Sequence, residues 1–323
     1  MNKYEQVQRS LTLVPVLAKI LVIGSRGTVG RPLTAELARR GHEVCQADAM
    51  HSSDARYRRC DISEFRQVEE LLDEGNAYDY IYNLAAEFGR KNGEDYYENL
   101  WRTNVIGLKN ILHFQQKKRF RLVHFSSSEI YGEVNLRSGE LIREDLSNET
   151  PLFQTNDYAI SKWVNELQIR NACALDRRLE TLTVRLFNAY GPGEYYTPYR
   201  SVVTQFIYKA LHHIPYEVFL NYHRVFMYID DAVRTLANIV DHFKPGEVYN
   251  IGGKEYVEVK AVSDMILEYL GMDDSLVKYL PEDKHNVVSK RPDISKAMRD
   301  LMHDPKTSLA EGIPKTIEWM KKC

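Results

Sequence analysis

The stretch "KILVIGSRGTVGRPL", Lys19–Leu33, decides the fold of this 323-residue chain. It opens with a short continuous apolar run, which is typical of a strand in a sheet that is covered on both faces. Three glycines, Gly24, Gly27 and Gly30, follow at once, and a helix is predicted over 27–40. A buried strand that turns through glycines into a helix predicts the first unit of a parallel α/β sheet.

The same alternation of strands and helices continues through the first half of the chain. Further strands are predicted at 42–47, 56–61, 79–85, 121–126 and 180–187, and helices at 63–74, 94–116 and 157–176. Strands that alternate with helices pair in parallel through right-handed crossovers. We therefore predict an α/β fold with a doubly wound, Rossmann-like parallel sheet. From about Gly191 the pattern is less regular and predicts a smaller mixed α/β C-terminal lobe.

Composition and charge narrow the class of protein. The apolar content is 44% and the formal net charge is -2, which predict a globular protein without nucleic acid or a membrane as partner. The four cysteines, Cys45, Cys60, Cys173 and Cys323, are widely spaced, and the ten histidines show no metal-ligand spacing. We expect a reducing cytoplasm, no disulfide framework and no metal site. The apolar stretch 11–24 is interpreted as a short extension and a first strand, not as a signal sequence.

The glycine turn has the chemistry of a dinucleotide site. Glycines allow a tight turn, and the free N–H groups at the helix start can bind a pyrophosphate. Asp48 ends the second predicted strand, where a carboxylate binds an adenosine ribose and repels a 2′-phosphate, so NAD is favoured. Arg26 leaves NADP open, because a cation inside the turn could hold the extra phosphate. Asp61 and Ile62 are expected to flank the adenine, with a helix-capping loop as the alternative.

A tyrosine and a lysine four residues apart, Tyr158 and Lys162, lie near the start of a predicted helix and share one face of it. A free phenol has a pKa of about 10, too high for a base at neutral pH. A nearby ammonium and a positively charged nicotinamide would lower that pKa, so the pair suits proton removal from an alcohol. A second match to this spacing, Tyr256 and Lys260, has no hydroxyl-rich strand end before it and is interpreted as a coincidence.

The stretch "HFSSSEIYG", 124–132, ends a predicted buried strand with consecutive polar residues. At the carboxyl edge of a parallel sheet such side chains face the ligand cleft. The serines are therefore expected where a substrate hydroxyl binds. A polar strand end that caps the next loop explains one serine but not the whole run.

Taken together, these motifs closely resemble the extended short-chain dehydrogenase/reductases, specifically the NAD-dependent nucleotide-sugar epimerase/dehydratase family. The match also includes "NLAA" at 83–86, "RLFNAYGPG" at 185–193 and "KRPDISKA" at 290–297. The resemblance divides the chain into an N-terminal extension (1–18), an NAD-binding Rossmann domain (19–190, plus some later segments) and a substrate-binding lobe (191–323).

The resemblance assigns roles to the motif residues. Tyr158 would be the base for a sugar hydroxyl, Lys162 would bind the nicotinamide ribose and tune the tyrosine, and Ser127 would hydrogen-bond the reacting oxygen. The residues implied in binding the NAD pyrophosphate are Gly24, Gly27 and Gly30. The residues implied around the substrate are Asn104, which supports the site, Asn188, Arg224 and Arg291. A surface salt bridge is the alternative for either arginine, and "LNYHRVFMYIDD" replaces the usual glycine-rich approach to Arg224.

Glu129 bears on the reaction type. The resemblance implies that the enzyme oxidises the sugar at C4, after which the family diverges into dehydration, decarboxylation or epimerisation. Dehydratases and uronic-acid decarboxylases carry a glutamate at this position, whereas Ser128 replaces the aspartate that some dehydratases use. We therefore predict a 4,6-dehydratase or a uronic-acid decarboxylase, with a 4-epimerase, a net C4 dehydrogenase or a non-catalytic NAD sensor as alternatives.

Two more expectations concern the pocket and the assembly. Glu87, Arg90 and Lys91 are predicted to line the sugar pocket, where Arg90 or Lys91 would meet the carboxylate of a uronic acid. The substrate is expected to be a nucleoside-diphosphate sugar. The helices at 94–116 and 157–176 carry apolar stripes, and the resemblance implies that they pair in a homodimer.

Overall fold

The structure, a computed structural model, describes residues 17–134 apart from 74 and 76, residues 139–282 and residues 287–323. All but the last two positions of the predicted N-terminal extension lie outside the described residues.

Fourteen strands are found in this part of the chain. In order they are β1 (Lys19–Ile23), β2 (Glu43–Asp48), β3 (Tyr57–Arg59), β4 (Tyr80–Asn83), β5 (Arg121–Ser127), β6 (Thr181–Leu186), β7 (Ala189–Tyr190), β8 (Tyr216–Phe219), β9 (His223–Val225), β10 (Met227–Tyr228), β11 (Val248–Ile251), β12 (Tyr256–Glu258), β13 (Val277–Leu280) and β14 (Ser289–Lys290).

Twelve α-helices accompany them. In order they are α1 (Gly30–Arg39), α2 (Phe65–Asp73), α3 (Arg90–Asp95), α4 (Tyr97–Trp101), α5 (Gly107–Lys118), α6 (Leu146–Glu149), α7 (Asp157–Leu175), α8 (Val202–Leu211), α9 (Ile229–His242), α10 (Val259–Leu270), α11 (Ser295–Leu301) and α12 (Leu309–Met320). A π-helical segment, Arg102–Ile106, joins α4 to α5, and a 3-10 turn, Ser128–Tyr131, follows β5.

Seven parallel strands form the central sheet, in the order β11-β6-β5-β4-β1-β2-β3. From β1 the chain builds outward through β2 and β3, and it then returns to β4 on the other side of β1. This reversal opens a crevice at the carboxyl ends of the strands, where ligands bind in such sheets. The predicted fold class is confirmed. The seventh strand, β11, comes from the second half of the chain.

Both faces of the sheet are covered, as the continuous apolar run of β1 predicts. Ile20 and Val22 belong to the core on the side of α1 and α9, whereas Leu21 and Ile23 belong to the core on the side of α2, α5 and α7. All four side chains are fully buried. Successive residues of a strand point to opposite faces, so β1 anchors both layers at once.

A second hydrophobic core lies in the C-terminal half. It brings together α8, α10 and α12 with the parallel pair β8 and β13. A three-stranded sheet, β12-β9-β14, lies next to it. None of the helices in the described parts of the chain is long and apolar enough to cross a membrane.

The predicted long helix at 94–116 differs from the structure. There α4, the π-helical segment and α5 follow one another, and Asn104 lies within the π-helical segment. Hydrophobic spacing does not distinguish a local π turn from an α-helix. Such turns are frequent at functional sites, and this one carries a side chain that the sequence analysis assigns to the site.

Gly30 provides a test of the packing of the glycine turn. A Cβ at Gly30 would lie 2.1 Å from Gly24 O, whereas a Cβ at Gly27 would lie 3.3 Å from the same oxygen. Because the first contact is with backbone that cannot move aside, we expect Gly30→Ala to lower the free energy of unfolding by about 1–3 kcal/mol. Urea unfolding of Gly30→Ala beside Gly27→Ala measures the difference, and equal stabilities would contradict the expectation.

Candidate active site

The glycine turn lies at the carboxyl end of β1, where the sheet order reverses. The backbone N–H of Gly24 donates to Ala47 O at 2.9 Å. Gly24 has a φ of +84°, and a Cβ there would lie 2.7 Å from Ala85 N, so only glycine fits. Two buried polar atoms of the turn, Arg26 Nε and Thr28 Oγ1, have no hydrogen-bond partner within the described chain. The turn therefore fits an anionic group such as a pyrophosphate at the start of α1.

Asp48 ends β2 directly beside this turn. Its carboxylate accepts the N–H of Arg26 at 2.9 Å and the N–H of Met50 at 3.2 Å. The guanidinium of Arg26 lies 5.0 Å from the centre of the Tyr57 ring and donates to Ser52 Oγ. The structure thus brings Asp48 and Arg26 together at the place where the sequence analysis expects the adenosine ribose. Their roles toward a cofactor stay predictions.

Asp61 and Ile62 follow β3. The carboxylate of Asp61 accepts the N–H of Ser63 at 2.9 Å, and its own N–H donates to Gln67 Oε1 at 2.8 Å. Ile62 is buried, and a Cβ at Gly107 of α5 would lie 2.6 Å from its side chain. These contacts match the helix-capping alternative for Asp61, and an adenine site stays a prediction.

Tyr158 and Lys162 lie one turn apart at the start of α7. The side chain of Asn156 caps this helix by accepting the N–H of Ala159 at 2.8 Å. The buried Lys162 Nζ donates to Phe125 O at 2.8 Å and lies 5.9 Å from the centre of the Tyr158 ring. Burial lowers the pKa of Lys162 to about 8. Tyr158 and Lys162 thus share one face of α7, as their spacing predicts, and this face meets the end of β5.

The pKa of Tyr158 differs from the expectation drawn from the sequence. Burial raises it to about 12, a hydrogen bond with Ser127 acts in the opposite direction, and Glu129 adds to the increase. Lys162, which the sequence analysis expects to lower this pKa, donates to a backbone carbonyl instead. The protein alone therefore keeps the phenol neutral at pH 7. A phenolate requires further positive charge, such as that of an oxidised nicotinamide.

The three serines of "HFSSSEIYG" have different environments. Ser126 Oγ donates to Glu166 Oε1 of α7 at 2.6 Å, beneath the crevice. Ser127 Oγ accepts the N–H of Glu129 at 3.2 Å, and its hydroxyl also meets Tyr158. Ser128 is buried at the start of the 3-10 turn. Side chains alternate along a strand, so the expectation that the serines jointly face the substrate does not fit Ser126, whereas Ser127 remains the candidate for the reacting oxygen.

Glu129 is the centre of a charged group that we call the Glu129 cluster, composed of Glu129, Lys290, Arg90 and Arg224. Lys290 Nζ lies 2.6 Å from Glu129 Oε1, and the two side chains are 1% and 19% exposed. Burial raises the pKa of Glu129, but Lys290, Arg90 and Arg224 outweigh it, so the pKa is lowered. Burial also lowers the pKa of Lys290, to about 8. With three cations around one carboxylate, the cluster suits a further anionic group.

Lys290 is a site residue that the sequence analysis missed, because the resemblance pointed to its neighbour Arg291. In the structure Lys290 is the register partner of Arg224, so the two share one face of the small sheet. Arg291 is exposed, and its guanidinium lies 5.3 Å from the centre of the Tyr256 ring. Local sequence does not distinguish the two residues, whereas the pairing of β14 with β9 sets Lys290 beside Arg224.

Arg224 and Asn188 both contact backbone carbonyls near the crevice. The guanidinium of the buried Arg224 donates to the carbonyls of Val288, at 3.0 Å, and Val287. Asn188 has a φ of +22°, and its Nδ2 donates to Val225 O at 2.9 Å. These bonds link β9 to the segment between β6 and β7 and to the residues just before β14. Contact of either side chain with a diphosphate stays a prediction.

The loop after β4 is held by Asn104 of the π-helical segment. Asn104 Oδ1 accepts the N–H of Glu87 at 2.9 Å, and its Nδ2 donates to Glu87 O and to Ser161 Oγ, both at 3.0 Å. The Glu87 carboxylate accepts the side-chain amides of two asparagines, from α3 and α4. Arg90 belongs to the Glu129 cluster, whereas Lys91 is exposed. Two cations, Arg90 and Lys91, are predicted to line the pocket. The structure brings Arg90 close to Glu129 and leaves Lys91 at the surface.

Metal ligation has no support in the described part of the chain. There, no group of three or more His, Cys, Asp or Glu side chains is placed to hold a metal ion.

Comparison with known proteins identifies the same family that the sequence motifs resemble. Residues 20–252 match the model of a family described as "NAD dependent epimerase/dehydratase family". The chain is 27% identical over 321 residues to UDP-N-acetyl-alpha-D-glucosaminuronate decarboxylase of Bacillus cytotoxicus, covering 94% of this chain and 98% of that protein. It is 28% identical over 313 residues to UDP-glucuronic acid decarboxylase 1 of Xenopus tropicalis. This match covers 94% of this chain and 72% of that protein.

A solved structure supports the same relationship. MoeE5, in complex with UDP-glucuronic acid and NAD, superposes with a TM-score of 0.83 at 25% identity, covering 94% of this chain and 99% of that one.

The two buried lysines give a prediction for the pH dependence of turnover. The pKa of Lys162 and of Lys290 is lowered from 10.5 to about 8, so each loses its charge above pH 8 instead of above 10.5. We expect turnover to fall as the pH rises through about 8. In Lys290→Arg the guanidinium stays charged and only Lys162 titrates, so the alkaline fall should become shallower. Initial rates over a pH series measure both slopes, and identical slopes would contradict a role for the Lys290 charge.

Proposed function

Because the chain belongs to the NAD-dependent epimerase/dehydratase family, we propose that it oxidises the sugar of a nucleoside-diphosphate hexuronate at C4 and then decarboxylates it. The observation that carries the proposal is the Glu129 cluster. It offers three cations for one protein carboxylate, and a hexuronate brings the second carboxylate that such a site favours. The names of two relatives that each match 94% of this chain support the same substrate class, since both are decarboxylases of UDP-linked uronic acids.

NAD fits the glycine turn and the end of β2. Its pyrophosphate would bind at the start of α1, near the unpartnered buried atoms of the turn, and Asp48 would hold the adenosine ribose. Lys162 would contact the nicotinamide ribose. When bound, NAD supplies the hydride acceptor for C4 and afterwards the hydride donor.

Ser127 and Tyr158, which we call the oxidation pair, act on the sugar hydroxyl. As hydride leaves C4, the O4–H bond breaks and Tyr158 takes the proton, so that C4 becomes a ketone. Ser127 is hydrogen-bonded to Tyr158 and would hold O4 in line with the phenol. Because burial raises the pKa of Tyr158, the positive charge of an oxidised nicotinamide would be needed to make it a base.

Glu129 and Lys290, which we call the proton-transfer pair, serve the second step. A ketone at C4 turns the uronate into a β-keto acid, so the C5–C6 bond breaks, CO₂ leaves and the electron pair moves to the C4 oxygen as an enolate. C5 then takes a proton from the proton-transfer pair, which recovers it from solvent. One proton is consumed and one CO₂ is released per turnover. Lys290, with a pKa of about 8, can donate a proton near neutral pH.

Dehydration of a neutral hexose across C5 and C6 is the alternative. Glu129 supports it, because a carboxylate beside C5 can remove the C5 proton. The ring of a neutral hexose, however, brings no carboxylate of its own to the cations of the Glu129 cluster.

The reaction is tested by its products. The protein is incubated with NAD and a panel of UDP-hexuronates, UDP-hexoses and dTDP-hexoses, and the sugars are identified by mass spectrometry and NMR. We expect loss of CO₂ and a nucleotide-linked pentose or its 4-keto form from a hexuronate, and no turnover in Tyr158→Phe. A 4-keto-6-deoxyhexose from a neutral substrate would replace the decarboxylase proposal by the dehydratase, and an epimerised hexose would overturn both.

We further propose that the protein is a homodimer that pairs through α4, α5 and α7. Exposed apolar side chains on α4, on α7 and on the π-helical segment between α4 and α5 support it: Tyr97 is 62% exposed, Leu167 45% and Ile106 50%. Apolar side chains concentrated on neighbouring helices favour contact with another protein surface.

The dimer is tested by charge insertion on that surface. We expect the double variant Ile106→Glu with Leu167→Glu to be monomeric in light scattering coupled to gel filtration, because two buried, unpaired carboxylates oppose association. Met298→Glu alters an exposed apolar residue of α11 and should leave the mass unchanged. A monomeric native protein would contradict the proposal.

A further inference from the structure

A buried hydrogen-bond network beneath the crevice is centred on one ion pair. Glu166 of α7 and Arg185 of β6 form it, with side chains 2% and 0% exposed. Arg185 binds Glu166 through two N–H groups, at 3.0 and 2.8 Å, and Glu166 also accepts the hydroxyl of Ser126 at 2.6 Å. Tyr158, Lys162 and Glu166 follow one another at intervals of four along α7. The ion pair therefore anchors the helix face that carries the tyrosine and the lysine.

All five N–H donors of Arg185 have partners. Besides the two bonds to Glu166, Nη1 donates to Tyr131 OH at 2.7 Å and to Glu144 O at 2.8 Å, and Nη2 donates to Ser147 Oγ at 2.9 Å. Tyr131 is the last residue of the 3-10 turn that also contains Glu129. One guanidinium thus fixes both α7 and this turn.

From Tyr131 the network continues toward the second lobe. Tyr131 OH donates to Asn250 Oδ1 at 2.7 Å, and Asn250 Nδ2 donates to Ile142 O at 2.9 Å. The N–H of Ile142 donates in turn to Arg291 O at 2.8 Å, next to Lys290 in the chain. Both members of the proton-transfer pair are therefore attached to the same network, one through the 3-10 turn and the other through β14.

We propose that Glu166 and Arg185 are positioning residues that hold the oxidation pair and the proton-transfer pair in one fixed arrangement. Neither touches the crevice, since both are fully enclosed. They couple the successive steps of the reaction. Because both pairs keep their positions, the ketone formed at C4 stays in place for the step at C5 and for the return of hydride. This inference rests on the proposed function, because it concerns successive steps on one sugar. A network whose every donor is satisfied has no alternative arrangement of similar energy, which makes it suited to this role.

Two variants weaken the network to different degrees. Glu166→Gln keeps the shape of the side chain but removes its charge, and Ser126→Ala removes only the hydrogen bond from Ser126 to Glu166. A displacement of about 1 Å at reacting groups can lower turnover about 100-fold, so we expect a fall of up to that size in Glu166→Gln and a smaller one in Ser126→Ala. The KM for the nucleotide sugar should change little, because no contact with it is lost.

The decisive measurement is the product ratio. When the steps uncouple, the 4-keto sugar leaves early, and each molecule released leaves one equivalent of reduced NAD on the enzyme. We expect the ratio of released keto sugar to fully processed product, and the reduced NAD formed per turnover, to rise several-fold in both variants relative to the native protein.

Thr235→Val provides a matched control for the loss of a buried hydrogen bond. Thr235 Oγ1 and His303 Nδ1 lie 2.8 Å apart, both side chains are buried, and Thr235 belongs to α9 on the opposite face of the sheet. This variant should lose stability without a change in the product ratio. If Glu166→Gln and Ser126→Ala keep the native ratio and rate, or change only as much as Thr235→Val does, the proposal is overturned.

Hydrogen–deuterium exchange of the intact NAD-bound protein tests the proposal without turnover. We expect faster amide exchange at 126–131 and in the first turns of α7 in Glu166→Gln, and native exchange at these sites in Thr235→Val. Unchanged exchange in Glu166→Gln would overturn the positioning role whatever the substrate is. A native protein that forms neither ketone nor pentose from any hexuronate would instead overturn the proposed function alone.

Discussion

The attachment of α7 to β5 is the interaction on which the site depends. Lys162 Nζ donates to Phe125 O, and the hydroxyl of the next residue, Ser126, donates to Glu166 one turn further along the helix. These two bonds place the start of α7 over the carboxyl end of a strand, so that Tyr158 meets Ser127. Because β5 lies between β4 and β6 in a parallel sheet, the same end of the strand opens into the crevice at the reversal of the sheet order.

Much of this arrangement can be predicted from the sequence, because its signals are local. The apolar run of β1 and the glycines after it depend on neighbouring residues only, and so does the i, i+4 spacing of Tyr158 and Lys162. The predicted family, the doubly wound parallel sheet and NAD dependence are confirmed. The resemblance pointed to Ser127 for the reacting oxygen, which stays a prediction, and the alternation of side chains along β5 is consistent with Ser126 turning to Glu166 instead.

The features that could not be predicted depend on contacts between distant residues. Lys290 meets Glu129, which lies about half the length of the chain earlier, and no local pattern distinguishes it from Arg291. The pKa of Tyr158 reflects burial, which spacing does not reveal, and the Lys162 ammonium is directed to a carbonyl that belongs to another element. The pairing of Glu166 with Arg185 likewise becomes visible only when α7 lies on β6.

The position of β11 has a consequence for how the protein is made. This strand covers β6 at one end of the sheet, yet it follows β6 in the chain only after β7, β8, β9 and β10, which do not belong to the central sheet. As the chain leaves the ribosome, β6 therefore has an edge with no strand to pair with until residues 248–251 emerge. Unpaired strand edges invite pairing with other chains, so this interval of synthesis is when the nascent protein most needs protection by a chaperone.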